Sequence, residues 1–235
     1  MRVRLLLALA LATLVPAGVI AQPAAPAAPV DWTRQVERTA EGGWRMGSPE
    51  APVKLVEYAS ITCSHCADFA AAAGPALRTR VASGQVSWEV RPFLIFPTDP
   101  GMFMLLQCTR PGAFFDVADA LYAEQEQWAS RVQAQEARLR ALPRNQQLAA
   151  ITRATGTEPT FRAAGLDTAA VNACLADDVG LQRLVTAHER ASAAGVQGTP
   201  SFFVNGRQVE AGTWAQLEPL LASSARAGGA GEQGR

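Results

Sequence analysis

What most constrains this chain is the order of its secondary-structure signals: strand–helix–strand, then a long helical stretch, then two strands and a helix. Residues 53–58 (Val-Lys-Leu-Val-Glu-Tyr) form a compact apolar and β-branched run, the pattern of a buried strand. Residues 85–93 read as a second strand, closed by Pro92 and Pro97. Between them lies a helix-compatible stretch from Cys63 to about Val81, in which Gly74-Pro75 predicts an interruption and a kink. A strand–helix–strand unit places its two strands parallel in one sheet.

From about residue 100 the pattern turns helical, over 102–108, 114–127, 131–142, 146–155, 168–175 and 178–194. Pro111-Gly112, Pro143, Gly156 and Gly165 separate these segments. Strand signals return at 201–204, where Asn205-Gly206 is a hairpin turn, with 207–211 as the returning strand and 213–222 as a closing helix. The order predicts an α/β fold interrupted by an α-helical subdomain. Residues 31–99 and 195–224 would be its two halves, and 100–194 the insertion.

The ends read differently. Arg2 and Arg4 precede a Leu/Ala-rich run, and Val19 and Ala21 supply the small residues of a cleavage site, so 1–21 is expected to be a signal peptide. The apolar run falls short of the ~20 residues of a membrane span; an uncleaved anchor is the competing reading. Residues 22–30 are a Pro/Ala-rich linker, and the Gly- and Ala-rich residues 225–235 are predicted to be a disordered tail.

Export implies an oxidising compartment, where thiols tend to pair. The four cysteines, Cys63, Cys66, Cys108 and Cys174, are too sparse to knit a miniprotein, and a chain of this length buries a core without them. They therefore need a specific explanation. Charge offers none: 21 Lys and Arg balance 21 Asp and Glu, with no basic block suited to nucleic acid.

Cys63-Ser64-His65-Cys66 follows a strand and opens a helix. Unpaired N–H groups and the positive dipole end of a first turn favour a thiolate at Cys63, and His65 would add a donor and, when protonated, a charge. Cys66, one turn along and buried, would be the resolving thiol. A structural disulfide or a zinc site competes. Zinc, however, wants four N/S ligands, and only Cys63, His65 and Cys66 are local. Haem attachment wants His directly after the second cysteine, where Ala67 stands.

With residues 55–66 (Leu-Val-Glu-Tyr-Ala-Ser-Ile-Thr-Cys-Ser-His-Cys) and 198–206 (Gly-Thr-Pro-Ser-Phe-Phe-Val-Asn-Gly), the chain resembles the DsbA family of bacterial thioredoxin-like proteins over nearly all of the mature sequence. The resemblance implies a thioredoxin-like fold with a helical insertion, Cys63 as nucleophile, Cys66 as resolving thiol and His65 as thiolate stabiliser. It makes Thr199-Pro200 a cis-proline loop that an extended substrate pairs with, and puts Glu57 where the family has a buried acid. Ser64 stands where many members carry Pro, in a dipeptide that tunes the redox potential. No metal or other cofactor is expected beyond the Cys63–Cys66 disulfide.

The leftover cysteines of an exported protein most simply pair, so a structural Cys108–Cys174 disulfide is expected, with two buried free thiols as the alternative. His188 reads as a surface or core-edge residue and Trp128 as packing for the helical block. The leading expectation is a monomeric periplasmic oxidase that inserts disulfides into unfolded exported proteins, reoxidised by a quinone-linked membrane partner of the DsbB type. A disulfide isomerase or reductase competes with it, as does a non-catalytic periplasmic chaperone or metal-binding module on the same fold.

Overall fold

The computed structural model describes residues 30–232, with side chains as far as Arg226. The expected signal peptide and all of the linker but Val30 lie outside the described residues. A 3-10 turn (Trp32–Arg34) leads into β1 (Val36–Arg38) and β2 (Trp44–Met46), followed by β3 (Val53–Ala59), α1 (Ser64–Ala82) and β4 (Val86–Pro92). The insertion holds α2 (Asp99–Cys108), a 3-10 turn (Pro111–Ala113), α3 (Phe114–Ala123), α4 (Gln125–Gln133), α5 (Glu136–Arg140), α6 (Arg144–Ala154), α7 (Glu158–Ala163), α8 (Thr168–Leu175) and α9 (Asp178–Ala193). β5 (Ser201–Val204), β6 (Arg207–Val209) and α10 (Trp214–Glu232) close the chain.

One sheet runs β1-β2-β4-β3-β5-β6. β3 and β4 are parallel, Leu55 opposite Trp88, as a strand–helix–strand unit requires; the other pairings are antiparallel. This is a thioredoxin-like fold carrying a helical insertion. α1 buries Phe69, Ala73, Leu77 and Val81, spaced four apart on one face, and the Phe69 ring lies 4.6 Å from that of Phe202 on β5. Trp44 on β2 stacks on Phe114 of α3 at 4.2 Å, tying the hairpin to the insertion.

Several expectations are corrected. α1 runs unbroken through Pro75, which sits on the exposed face where water can serve the Ala71 carbonyl that proline leaves unpaired. The β1–β2 hairpin escaped prediction because three-residue strands show no period; Gly42-Gly43 was its one signal, with Gly42 at φ 88°. The expected helix over 114–127 is two helices meeting at Glu124, and 131–142 shrinks to α5. At that junction Gln125 turns inward to hydrogen-bond other segments, and the Trp128 indole donates to the Leu121 carbonyl at 2.8 Å. α7 was missed between two glycines read as breakers. α10 extends to Glu232, past the expected boundary at 224, and Leu217, Leu221 and Ala225 carry its core-facing row one residue beyond that boundary. The last three residues of the expected tail lie outside the described residues.

Candidate active site

β3 delivers the chain to a short loop, Ser60–Thr62, and Cys63 caps the N-terminus of α1 in an extended conformation. Asp99, fully buried at the start of α2, holds this loop. Its carboxylate accepts from the Ser60 hydroxyl, the Thr62 amide and hydroxyl, and the Ile95 and Phe96 amides. The Ser60 oxygen in turn accepts from the Cys63 amide at 3.1 Å. From the insertion, buried Gln125 donates to the carbonyls of Ile61 (2.8 Å) and Cys63 (3.0 Å), and Tyr122 to that of Ser60 (3.3 Å). The insertion thus clamps four residues, Ser60 to Cys63, from α2, α3 and α4.

Cys63 and Cys66 are free thiols here, 8% and 0% exposed. The Cys66 thiol, donating to the sulfur of Cys63, is the main reason the Cys63 thiol falls to about 5. Burial opposes this, and the Thr199 hydroxyl and the backbone amides of Cys66 and His65 assist. The same thiol–sulfur bond, followed by burial and the Glu57 carboxyl, pushes the Cys66 thiol well up. At neutral pH the pair is one thiolate and one thiol.

The His65 side chain is exposed, as is that of Ser64, and the His65 backbone N–H favours the Cys63 thiolate. A helix start presents its amides whatever side chains it carries. Thr199-Pro200 is a cis bond, and the Thr199 carbonyl lies 3.4 Å from the Cys63 sulfur. The Thr199 hydroxyl is buried without a conventional partner and turned toward the sulfur pair, where it favours the anion.

Behind Cys66, Glu57 is 3% exposed, and its carboxylate accepts from the Trp88 indole at 3.0 Å. Burial lifts its carboxyl to about 8; the indole opposes this, and the charge of Asp119 adds to it. Sequence reasoning missed Asp99, Gln125, Tyr122 and Trp88. No local pattern marks them, because the residues of β3 and the active-site loop that they hold lie 31 to 64 residues away.

Cys108 and Cys174 are joined by a disulfide between α2 and α8, Cα atoms 6.3 Å apart. His188 is half-buried, accepting from the Leu94 amide at 3.2 Å and resting on the Phe93 ring. Among the described residues no three His, Cys, Asp or Glu side chains are grouped to hold a metal ion.

A family profile described as thioredoxin matches residues 39–223. The chain belongs to the thioredoxin family. Within it, the structural neighbours are of the DsbA type. A crystal structure of a protein-disulfide isomerase from Novosphingobium aromaticivorans superposes with a TM-score of 0.70 at 28% identity, covering 77% of this chain and 96% of that one. α-DsbA1 of Wolbachia pipientis matches with a TM-score of 0.64 at 18% identity, over 78% of this chain and 91% of that one, a likeness of fold. A protein of Rickettsia typhi, provisionally named a protein-disulfide oxidoreductase, is 27% identical over 168 residues, 70% of this chain and 55% of the relative. A relative in Rickettsia bellii, similarly named, is 26% identical over 70% of this chain and 58% of its own. The chain spans little more than half the length of these curated relatives.

Proposed function

We propose that the protein is an exported thiol–disulfide oxidoreductase that introduces disulfides into unfolded proteins of the periplasm. The observation that carries this reading is the asymmetry of the sulfur pair: Cys63 is lowered to about 5 beside a protonated, buried Cys66. A stabilised thiolate is a stabilised reduced form, so the corresponding disulfide is a strong oxidant.

In the oxidised protein, a substrate thiolate attacks the Cys63 sulfur, the Cys63–Cys66 bond breaks, and Cys66 leaves as a thiolate that takes a proton from Glu57. A second substrate thiolate attacks the substrate sulfur of the mixed disulfide, expelling Cys63, which stays anionic. The substrate loses two electrons and two protons; the protein keeps two electrons and one proton, and one proton goes to solvent. An extended substrate would pair with the backbone at Thr199 as an added strand. No metal or organic cofactor enters the cycle. Reoxidation would fall to a quinone-linked membrane partner of the DsbB type, and the protein would act as a monomer.

A second reading, a disulfide isomerase kept reduced, is favoured by the name of the Novosphingobium aromaticivorans structure. Equilibration with glutathione separates the two. The oxidase is expected near the ~−120 mV of DsbA, whereas a value near the ~−270 mV of thioredoxin would overturn it. In parallel, Cys66→Ala expressed in the native compartment should trap exported proteins through Cys63, and Cys63→Ser should trap none.

A further inference from the structure

We propose that Asp119, on α3 of the insertion, is the group through which the buried Glu57 exchanges its proton with solvent. The inference rests on the reading of Glu57 as the proton partner of Cys66 and adds the exit route.

Two cavities carry it. The inner one, about 20 Å³, is lined by Glu57 and Trp88 from the sheet side and by Ala118, Asp119 and Tyr122 from α3. That is room for one water, which needs ~10–15 Å³. The outer one is a groove of about 470 Å³ between α1 and α3, floored by the small residues Ala67, Ala71 and Gly74. Only Ala70, Asp119 and Tyr122 line both. Ala70 has no proton to give, and the Tyr122 hydroxyl is committed to the Ser60 carbonyl, its phenol held neutral by burial. Asp119 remains. Its side chain is 41% exposed on the groove side, while its charge is felt at Glu57 on the inner side. Arg78 holds it in place from the groove at 2.7 Å and also takes Asp116 at 3.1 Å.

When Cys66 leaves as a thiolate, Glu57 gives it a proton. Asp119, an anion beside Arg78, takes a proton from the groove and passes it through one water to the Glu57 carboxylate. No electrons move, and the reverse sequence drains the proton when Cys66 must attack.

The test is stopped-flow resolution of a mixed disulfide between Cys63 and a coloured aromatic thiol, released by Cys66. Asp119→Ala is expected to slow release about 5–10-fold, a small share of the ~100-fold or more typical of a positioned proton donor or acceptor. Formate should restore the rate in proportion to its concentration. The first attack by Cys63 should be unchanged. Asp116→Asn, which lines neither cavity but shares Arg78, should behave as the parent protein. The isosteric Asp119→Asn should be slow even if Asp119→Ala folds poorly. It should also lower the pH midpoint near 8, because a negative charge beside Glu57 has been removed. A parental rate in Asp119→Asn, or slowing of Asp119→Ala that formate leaves unmoved, overturns the route. If Glu57→Gln is slow while Asp119→Asn is not, only the exit route falls; if Glu57→Gln resolves at the parental rate, the Glu57 reading falls and takes this one with it.

Discussion

At the scale of single residues, the site works by placing ionisable groups in opposite environments. Cys63 receives donors, while Cys66 gives its S–H to the Cys63 sulfur and is itself buried, so one sulfur is charged and its neighbour is not. Glu57 follows the same logic. Its carboxyl is raised from 4.5 to about 8 by burial, so the folded protein binds a proton there that the unfolded chain has released. A raised folded value means that Glu57 supports stability fully below pH 4.5 and loses that support as pH climbs to about 8. None of its causes is a cysteine, so the oxidised protein should show the effect free of thiol titration. Denaturant unfolding of the oxidised protein is expected to lose on the order of a few kcal/mol between pH 4.5 and 8, at ~1.4 kcal/mol per unit. The Glu57→Gln variant should lack that slope. Equal slopes would place Glu57 in a wetter setting than the structure shows. The Cys-x-x-Cys and Gly-Thr-Pro motifs were legible because each lies within a few consecutive residues. The contribution of the His65 backbone N–H was not, because a sequence does not show where an amide points.

At the scale of elements, the insertion is a working part of the site. α3 and α4 meet at Glu124 so that Gln125 can cap two carbonyls of the active-site loop, those of Ile61 and Cys63. Gln125→Leu keeps bulk but strands both acceptors. Each buried acceptor left unpaired costs ~1–3 kcal/mol. Unfolding should therefore register about 2–5 kcal/mol of lost stability, with faster amide exchange at the start of α1; unchanged exchange there would show that the clamp does not order the loop. Strands β3 to β5 and helices α8 and α9 could be read from periodicity and their flanking breakers. The β1–β2 hairpin was too short to show a period, and the break between α3 and α4 answers to partners about 60 residues away. The continuity of α1 through Pro75 depends on which face proline occupies, and packing decides that.

At the scale of the whole molecule, the thioredoxin-like part supplies the sulfur pair at the start of α1 and its cis-proline neighbour before β5, while the insertion supplies the clamp and is braced by Cys108–Cys174 across a separation of 66 residues. Closing such a loop contributes about 4 kcal/mol in the chain-entropy model. Replacing both cysteines by Ser should lower the unfolding midpoint accordingly while the Cys63 thiolate keeps its titration; a change in that titration would mean that the brace reaches the site. An α/β fold with a helical insertion followed from element order, whereas its thioredoxin-like character followed from the resemblance carried by two short motifs. The loop geometry that joins the halves did not, because residues far apart in sequence build it. The central claim is an anionic sulfur at residue 63, held by its neighbouring thiol and the first amides of α1. Thiolate absorbance of the reduced protein, followed against pH, tests it most directly. A midpoint near 5, carried by Cys63 and raised in Cys66→Ala, is the predicted result; a midpoint near 9, that of an ordinary cysteine, would contradict the account.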